Sequence, residues 1–349
     1  MEDTLPVGQP EEAPKGCSNC GNPSIDKEYP TTLCHDCREQ FIRFPVPLWI
    51  KAFAGAIAIV LLVSLVTLPK NISLAMHLER GEKAENEKNY LTAQHELTEV
   101  VNKVPDNIEA EGHLLIASFY NQDFDVFGKV AKKLEGVNIE DKELFSRMDE
   151  LLVKAGSYVS NDSAQKFQEN YVKFLVIPDS AWQHYFLANP DDLYAETQYA
   201  SLLYNGKKYT SCDSLLQNVL KKDDEYFPAL MMRTSLEREQ GQFDKALACC
   251  DKLLSINKES VYALAAKARI LLCQKKDGQA LDLAIKSFRM NEKNAYSLAT
   301  LILAYHFNNR SSERDELIKK SKTQETDSAS QYQVQYALDV IANKEKFRE

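Results

Sequence analysis

The chain has 349 residues, 44% of them hydrophobic and 27% charged, a balance that fits globular domains and excludes a disordered polymer. Its formal charge of −9, from 42 basic and 51 acidic residues, argues against a surface that coats nucleic acid. Only 12 residues are glycine, so tight turns are scarce and a helical architecture is favoured over an all-β one.

Residues 1–15 are polar, carry three prolines and predict a disordered N-terminus. A small module over 16–40 follows. Cys17-Ser-Asn-Cys20 and Cys34-His-Asp-Cys37 are two C-x2-C pairs separated by the thirteen residues 21–33. Four thiolates at this spacing can surround Zn²⁺ tetrahedrally, each pair on a tight turn. Gly21 stands where a positive φ helps turn a backbone amide toward sulfur. The loop between the pairs is too polar for a core of its own, so metal would supply most of the folding free energy. The pattern resembles a short zinc ribbon. Iron in a rubredoxin-like site and a redox dithiol are the alternatives. Four cysteine ligands leave no open coordination position, which points to a structural ion. His35, inside the second pair, is expected in solvent.

Residues 48–68, LWIKAFAGAIAIVLLVSLVTL, predict a single transmembrane helix. As a helix the run is about 31 Å long, matching a hydrocarbon core. Trp49 and Lys51 sit at one edge, Pro47 precedes the run and Pro69 is expected to close it. The run starts too far from residue 1 to be a secretory signal. Ala54 and Ala58, four apart, hint at weak pairing with a second copy. Arg38, Arg43 and Lys51 on one flank balance Lys70, Arg80, Lys83 and Lys88 on the other, so basic residues do not set the orientation. The cysteines do: four thiolates persist best in the reducing cytosol, which places the repeats across the membrane. In a bacterium that means an inner-membrane protein with a periplasmic solenoid.

From residue 70 to 349 a period of 34 dominates. Ala195, Ala229 and Ala263 keep it, as do Cys212, Ala246 and Ala280. So do Leu216, Cys250, Ala284 and Ile318, and Leu202, Leu236, Ile270 and Ala304. Columns of small residues let two helices approach closely, so each unit predicts a helical hairpin. The clearest repeats span 74–107, 193–226, 227–260 and 261–294. They resemble tetratricopeptide repeats (TPR), on Gly81, Tyr90, Ala93 and Pro105 in the first, Ala200, Tyr209, Cys212 and Leu216 in the second, Gly241, Phe243, Ala246, Cys250 and Leu253 in the third, and Ala268, Ala280 and Ala284 in the fourth. The stretch 108–190 is helical in pattern but fits the consensus poorly, as divergent repeats or a helical insert. Residues 325–345, with Tyr332, Tyr336, Leu338 and Ile341, read as a capping helix. The fold class is all-α: a TPR-type solenoid preceded by a zinc-ribbon-like module and one transmembrane helix.

The resemblance implies a concave groove, lined by the first helix of each pair, that holds a peptide or a partner helix. At its inward positions stand Tyr194, Tyr204, Arg238, Tyr262, Arg269 and Tyr296, residue types that dominate interface hot spots. The alternative is that the tyrosines pack between repeats. The Lys and Asn with which the family clamps terminal carboxylates are replaced by Thr197 and Ser201, Met231 and Ser235, Ala265 and Arg269, and Ala299 and Leu303. Cys212, Cys249, Cys250 and Cys273 are expected as small packing residues. His95-Glu96 is followed by Glu99 where a zinc protease needs its second histidine, and neither a phosphate loop nor a nucleophile elbow is present. The expectation is a non-catalytic, membrane-anchored interaction scaffold. A transmembrane sensor, or an accessory assembly subunit coupling ribbon to solenoid, is the alternative.

Overall fold

A computed structural model describes residues 16–42, 46–171, 177–322 and 328–348; the side chains of 65–70, 322 and 328–330 lie outside that description, as does the segment 1–15 expected to be disordered. The chain divides into two compact units, 1–71 and 72–349.

In the first unit, α1 (His35–Ile42) starts within the second cysteine pair and contains Cys37, and α2 (Leu48–Asn86) begins. The 39-residue α2 overrides the expected stop at Pro69. A proline interrupts one hydrogen bond of a helix. Here the following turns have reason to stay helical, because Leu78 and Ala84 belong to an apolar core with Leu97 of the next helix. Every described residue from Leu48 to Ser64 is exposed, Leu48 at 85% and Trp49 at 70%. Among the described residues no helix is long and apolar enough to cross a membrane. The expected span 48–68 is helical throughout, and the side chains of 65–68 lie outside the description.

The second unit is built of paired helices. They are α3 (Tyr90–Lys103), α4 (Ile108–Tyr120), α5 (Phe124–Leu134), α6 (Lys142–Ala155), α7 (Asp162–Tyr171), α8 (Asp179–Ala188), α9 (Leu193–Asn205), α10 (Tyr209–Lys222), α11 (Phe227–Glu239), α12 (Phe243–Ile256), α13 (Val261–Cys273), α14 (Asp277–Met290), α15 (Ala295–Phe307), α16 (Ser311–Lys322) and α17 (Ser328–Ile341). Asp192, Ser260 and Asn294, at the repeat interval, cap α9, α13 and α15 by accepting a hydrogen bond from the amide three residues on.

The turns carry the same period. Lys207, Gly241, Lys275, Asn309 and Asn343 all have a positive φ between 55° and 73°, each 34 residues from the last, and Lys88 and Gln122 form an earlier pair at the same interval. A left-handed residue reverses the chain in three residues and sends the second helix back along the first. Lys207, however, comes 85 positions after Gln122, two and a half repeats. The chain therefore holds two arrays out of phase by half a repeat. One runs from α2 to α5 and the other from α9 to α17, with α6, a single 3-10 turn (Gly156–Tyr158), α7 and α8 between them.

Small columns form the helix contacts. Ala195, Ala229, Ala263, Cys212, Ala246, Ala280, Leu216, Cys250 and Ala284 are all fully buried. Ile318, next in the Leu216 column, is half-buried, and Leu202 is 49% exposed while Leu236, Ile270 and Ala304 at its repeat position are covered; α9 opens its array and has an array neighbour on one side only. At Gly81, an added Cβ would meet Cγ of the fully buried Leu97 at 2.6 Å. Gly81→Ala is thus expected to overpack the α2–α3 contact and lower stability by about 1–3 kcal/mol in chemical denaturation.

The arrays meet side-on. Phe227, Leu230, Leu253, Ile256 and Ala263 of the second share one core with Leu97, Leu115 and Phe119 of the first and Leu151 of the intervening α6. Around the joint, Thr92 donates from both its amide and its hydroxyl to the Glu259 carboxylate at 2.7 Å. The Asn257 amide reaches the Tyr120 carbonyl at 3.2 Å, and the Lys258 amide the Lys88 carbonyl at 3.0 Å. Rings seal it: Tyr158 packs against Phe119, Phe124, Tyr226 and Phe227 with centroids 4.6–5.9 Å apart. Helices α7 and α8 instead cover α9 and α10, through Trp182, Tyr185, Tyr199 and Leu216.

Candidate functional site

The cysteine cluster is built by two turns. The Gly21 amide bonds to the Cys17 carbonyl and the Cys17 amide to the Asn22 carbonyl, both at 2.8 Å, and Gly21 takes the positive φ (79°) that closes this knuckle. The second pair lies at the start of α1. Ser18 ties the two together, donating from its amide and its hydroxyl to the Thr32 carbonyl at 2.8 and 3.0 Å. As a result the sulfurs of Cys17, Cys20, Cys34 and Cys37 all lie within 4.8 Å of one another, with Cys20 and Cys34 only 3.5 Å apart. Backbone amides, that of Cys34 foremost, hold the Cys17 thiol down to about 6 against the effect of burial. The Asn22 amide pulls Cys20 down too, but the three neighbouring sulfurs outweigh it and push Cys20 up to about 12. The Asn19 side chain donates to Cys37 Sγ at 3.3 Å. His35 is exposed and stands outside the cluster. The only buried hydrophobic residues of the module are Cys17, Cys34 and Cys37 themselves, with Leu33 packed against them. Four convergent sulfurs with amides directed at them fit a tetrahedral thiolate-binding ion.

In the second unit, Tyr262, Tyr296, Arg238 and Arg269 come together on the first helices of successive pairs. Tyr262 of α13 and Tyr296 of α15 stack with centroids 5.0 Å apart and planes at 27°. The Tyr262 hydroxyl donates to the Met231 carbonyl at 2.8 Å, so this ring also fastens α13 to α11. Arg238 of α11 reaches the Tyr296 hydroxyl at 3.2 Å. Arg269 of α13 is 3% exposed, lies over the Tyr296 ring at 3.8 Å and donates to the Thr300 hydroxyl at 2.8 Å. It also reaches Gln333 of α17 at 3.3 Å. Burial holds its guanidinium below the usual value, since its contacts are neutral groups. Tyr204 is half-buried and packs on Tyr209 at 5.9 Å; burial, and then the charge of Glu239, push its hydroxyl upward. Tyr194, also half-buried, is two repeats from Tyr262, and Pro228 occupies the position between them.

Two clefts flank this ladder. One, about 580 Å³, is lined by Tyr262, Tyr296, Met231, Leu91, Asn121 and Asn291 among others, so the turn of the first array forms part of its wall. The other, about 550 Å³, is lined by Arg238, Glu239, Phe243, Cys273 and Lys275, and by Phe347 and Arg348 from the far end of the chain. The 34-residue spacing places Tyr262, Tyr296 and Arg238. Leu91, Asn121, Phe347 and Arg348 arrive by long-range packing and carry no motif. Cys212 and Cys250 are fully buried, and burial pushes their thiols up to about 11 and about 12, as inert packing residues.

No protein-family model matches the chain, and no curated protein does. Solved structures to which it is similar include yeast Tom70, at 15% identity and a TM-score of 0.38, over 72% of this chain and 62% of that one, less than two thirds of its length. A tetratricopeptide repeat protein from Parabacteroides merdae aligns at 12% identity and a TM-score of 0.39, over 76% and 99% of the two chains. PilF of Pseudomonas aeruginosa aligns at 12% identity and 0.34, over 77% and 99%.

Proposed function

We propose that this chain is a non-catalytic scaffold, tethered to a membrane through 48–68, whose helical repeats hold a protein or peptide partner. The carrying observation is the face where Tyr262, Tyr296 and Arg238 meet and open into clefts of about 580 and 550 Å³. Aromatic anchors beside a guanidinium, at the edge of a cleft, are the composition of a binding hot spot. The tether is supported by the uninterrupted exposure of Leu48 to Ser64, an apolar surface that water would not leave uncovered. In the first unit, Cys17, Cys20, Cys34 and Cys37 would hold structural zinc, with the ribbon in the cytosol and the repeats across the bilayer.

The test is photo-crosslinking in native membranes from residue 91 or 240, which line the two clefts, with exposed Lys129 as the control position. One partner of defined mass is expected from the cleft positions and not from the control. Arg238→Ala should then weaken capture by about thirtyfold, the effect of losing roughly 2 kcal/mol at a hot spot. Equal adducts from all three positions would refute the scaffold reading. For the orientation, an impermeant thiol reagent applied to intact cells after chelation should leave Cys17 and Cys34 unmodified.

A further inference from the structure

Asn343 has the same left-handed φ, at the same interval, as the residues that turn each earlier hairpin. Among the described residues, though, no second helix follows it. Residues 342–346 are exposed, and the chain is then gripped again at two residues, Phe347 and Arg348. The grip is chemically complete. The Phe347 ring stacks on Phe307, the last residue of α15, with centroids 5.5 Å apart and planes at 26°. The Phe347 carbonyl accepts from the Cys273 thiol at 3.5 Å. Arg348 lays its guanidinium 3.9 Å above the same Phe307 ring. Its two terminal nitrogens engage both carboxylate oxygens of Asp277, Nη2 at 3.2 Å, and Nη1 donates in addition to the Leu272 carbonyl at 2.9 Å. Ring, fork and backbone acceptor together select an aromatic side chain followed by arginine; lysine would lose the bidentate fork.

Two features show that this seat suits an exchangeable segment. First, its occupant is two residues that follow an exposed turn, 342–346, and they can leave the seat while that turn keeps its amide bonds to α17. Second, Lys346, Phe347 and Arg348 form one wall of the open cleft of about 550 Å³, whose lining continues through Arg238, Glu239, Phe243 and Lys275. A longer ligand could take the seat and fill that space as well. We propose that the seat formed by Leu272, Cys273, Asp277 and Phe307 is a docking site for a partner segment bearing an aromatic–arginine pair, which residues 347–348 occupy in the free chain. This rests on reading the repeats as an interaction scaffold and names the chemistry of what they hold.

The experiment uses the full chain, unsubstituted and with Phe347→Ala plus Arg348→Ala, and a fluorescent peptide with the sequence of residues 341–348. A short arm keeps its own pair at an effective concentration near the millimolar range, so it competes with the free peptide. The doubly substituted chain is expected to bind the peptide at least about tenfold more tightly than the unsubstituted chain, and adding Asp277→Asn should abolish that binding. Equal binding by both chains, indifference to Asp277→Asn, or no binding by the doubly substituted chain with its helical circular dichroism intact would overturn the proposal. Concentration-dependent dimerisation of the unsubstituted chain, lost in the double variant, would assign the seat to a second copy and overturn it too. Because the peptide is supplied, these results stand apart from whether crosslinking at residue 91 finds a partner.

Discussion

Phe119→Ala is expected to be the most damaging single substitution in the helical unit, lowering stability by about 3–5 kcal/mol. Phe119 is fully buried, and its ring meets Phe124, Phe127, Tyr158 and Phe227 at 5.4–6.0 Å. Those partners belong to both arrays and to the turn between them, so the cavity would open where the arrays are held together. Against a total of about 5–15 kcal/mol, such a loss is a large fraction. Denaturant unfolding of the full chain, one transition before the change, should then show two, as arrays deprived of their common core melt apart. Phe145, 51% exposed, is the comparison: its replacement by alanine should cost under about 1 kcal/mol. A loss below about 1 kcal/mol for Phe119→Ala would mean that the arrays are held by something other than this ring cluster.

The second large effect is expected from metal removal. The cysteine module has no buried apolar side chains apart from its own ligands, so zinc would replace the core that the segment lacks. Binding of structural zinc by such segments is worth roughly 10–16 kcal/mol at neutral pH, and that free energy is folding free energy. Chelation of the zinc-loaded chain should therefore abolish amide protection over residues 16–42 and expose all four thiols to alkylation. The helical circular dichroism should barely change, because α1 is only 8 residues long. Cys37→Ser should reproduce the chelated state. If the four thiols alkylate at one rate with and without zinc, the module is not a metal site.

Much of this architecture can be read from the residues. The 34-residue columns at Cys212, Ala246 and Ala280 announce close-packed hairpins because size, and not only hydrophobicity, recurs there. The cysteine pairs announce their cluster because four donors at fixed spacing have few other uses. What stayed illegible has physical causes. The half-repeat offset between Gln122 and Lys207 leaves 74–107 readable as a repeat but not as part of a separate array. The side-on joint depends on contacts such as that between Thr92 and Glu259, whose residues follow no local pattern. Proline at 69 is a reliable stop only when the turns beyond it have nothing to pack against, and α2 does. The inward tyrosines answer to both readings at once, since Tyr262 fastens two repeats with its hydroxyl and offers its flank to a cleft.

The side-on joint also bears on how the chain is made. In a simple stack, each hairpin leaving the ribosome finds its cover in the one just before it. Here the Tyr120 carbonyl and the Thr92 amide meet partners 137 and 167 residues later in the sequence. At roughly 5–20 residues per second, the first array waits on the order of ten seconds during translation with an aromatic flank bare. That interval is when this protein most needs a chaperone, and slowing elongation ahead of α11 and α12 would lengthen it.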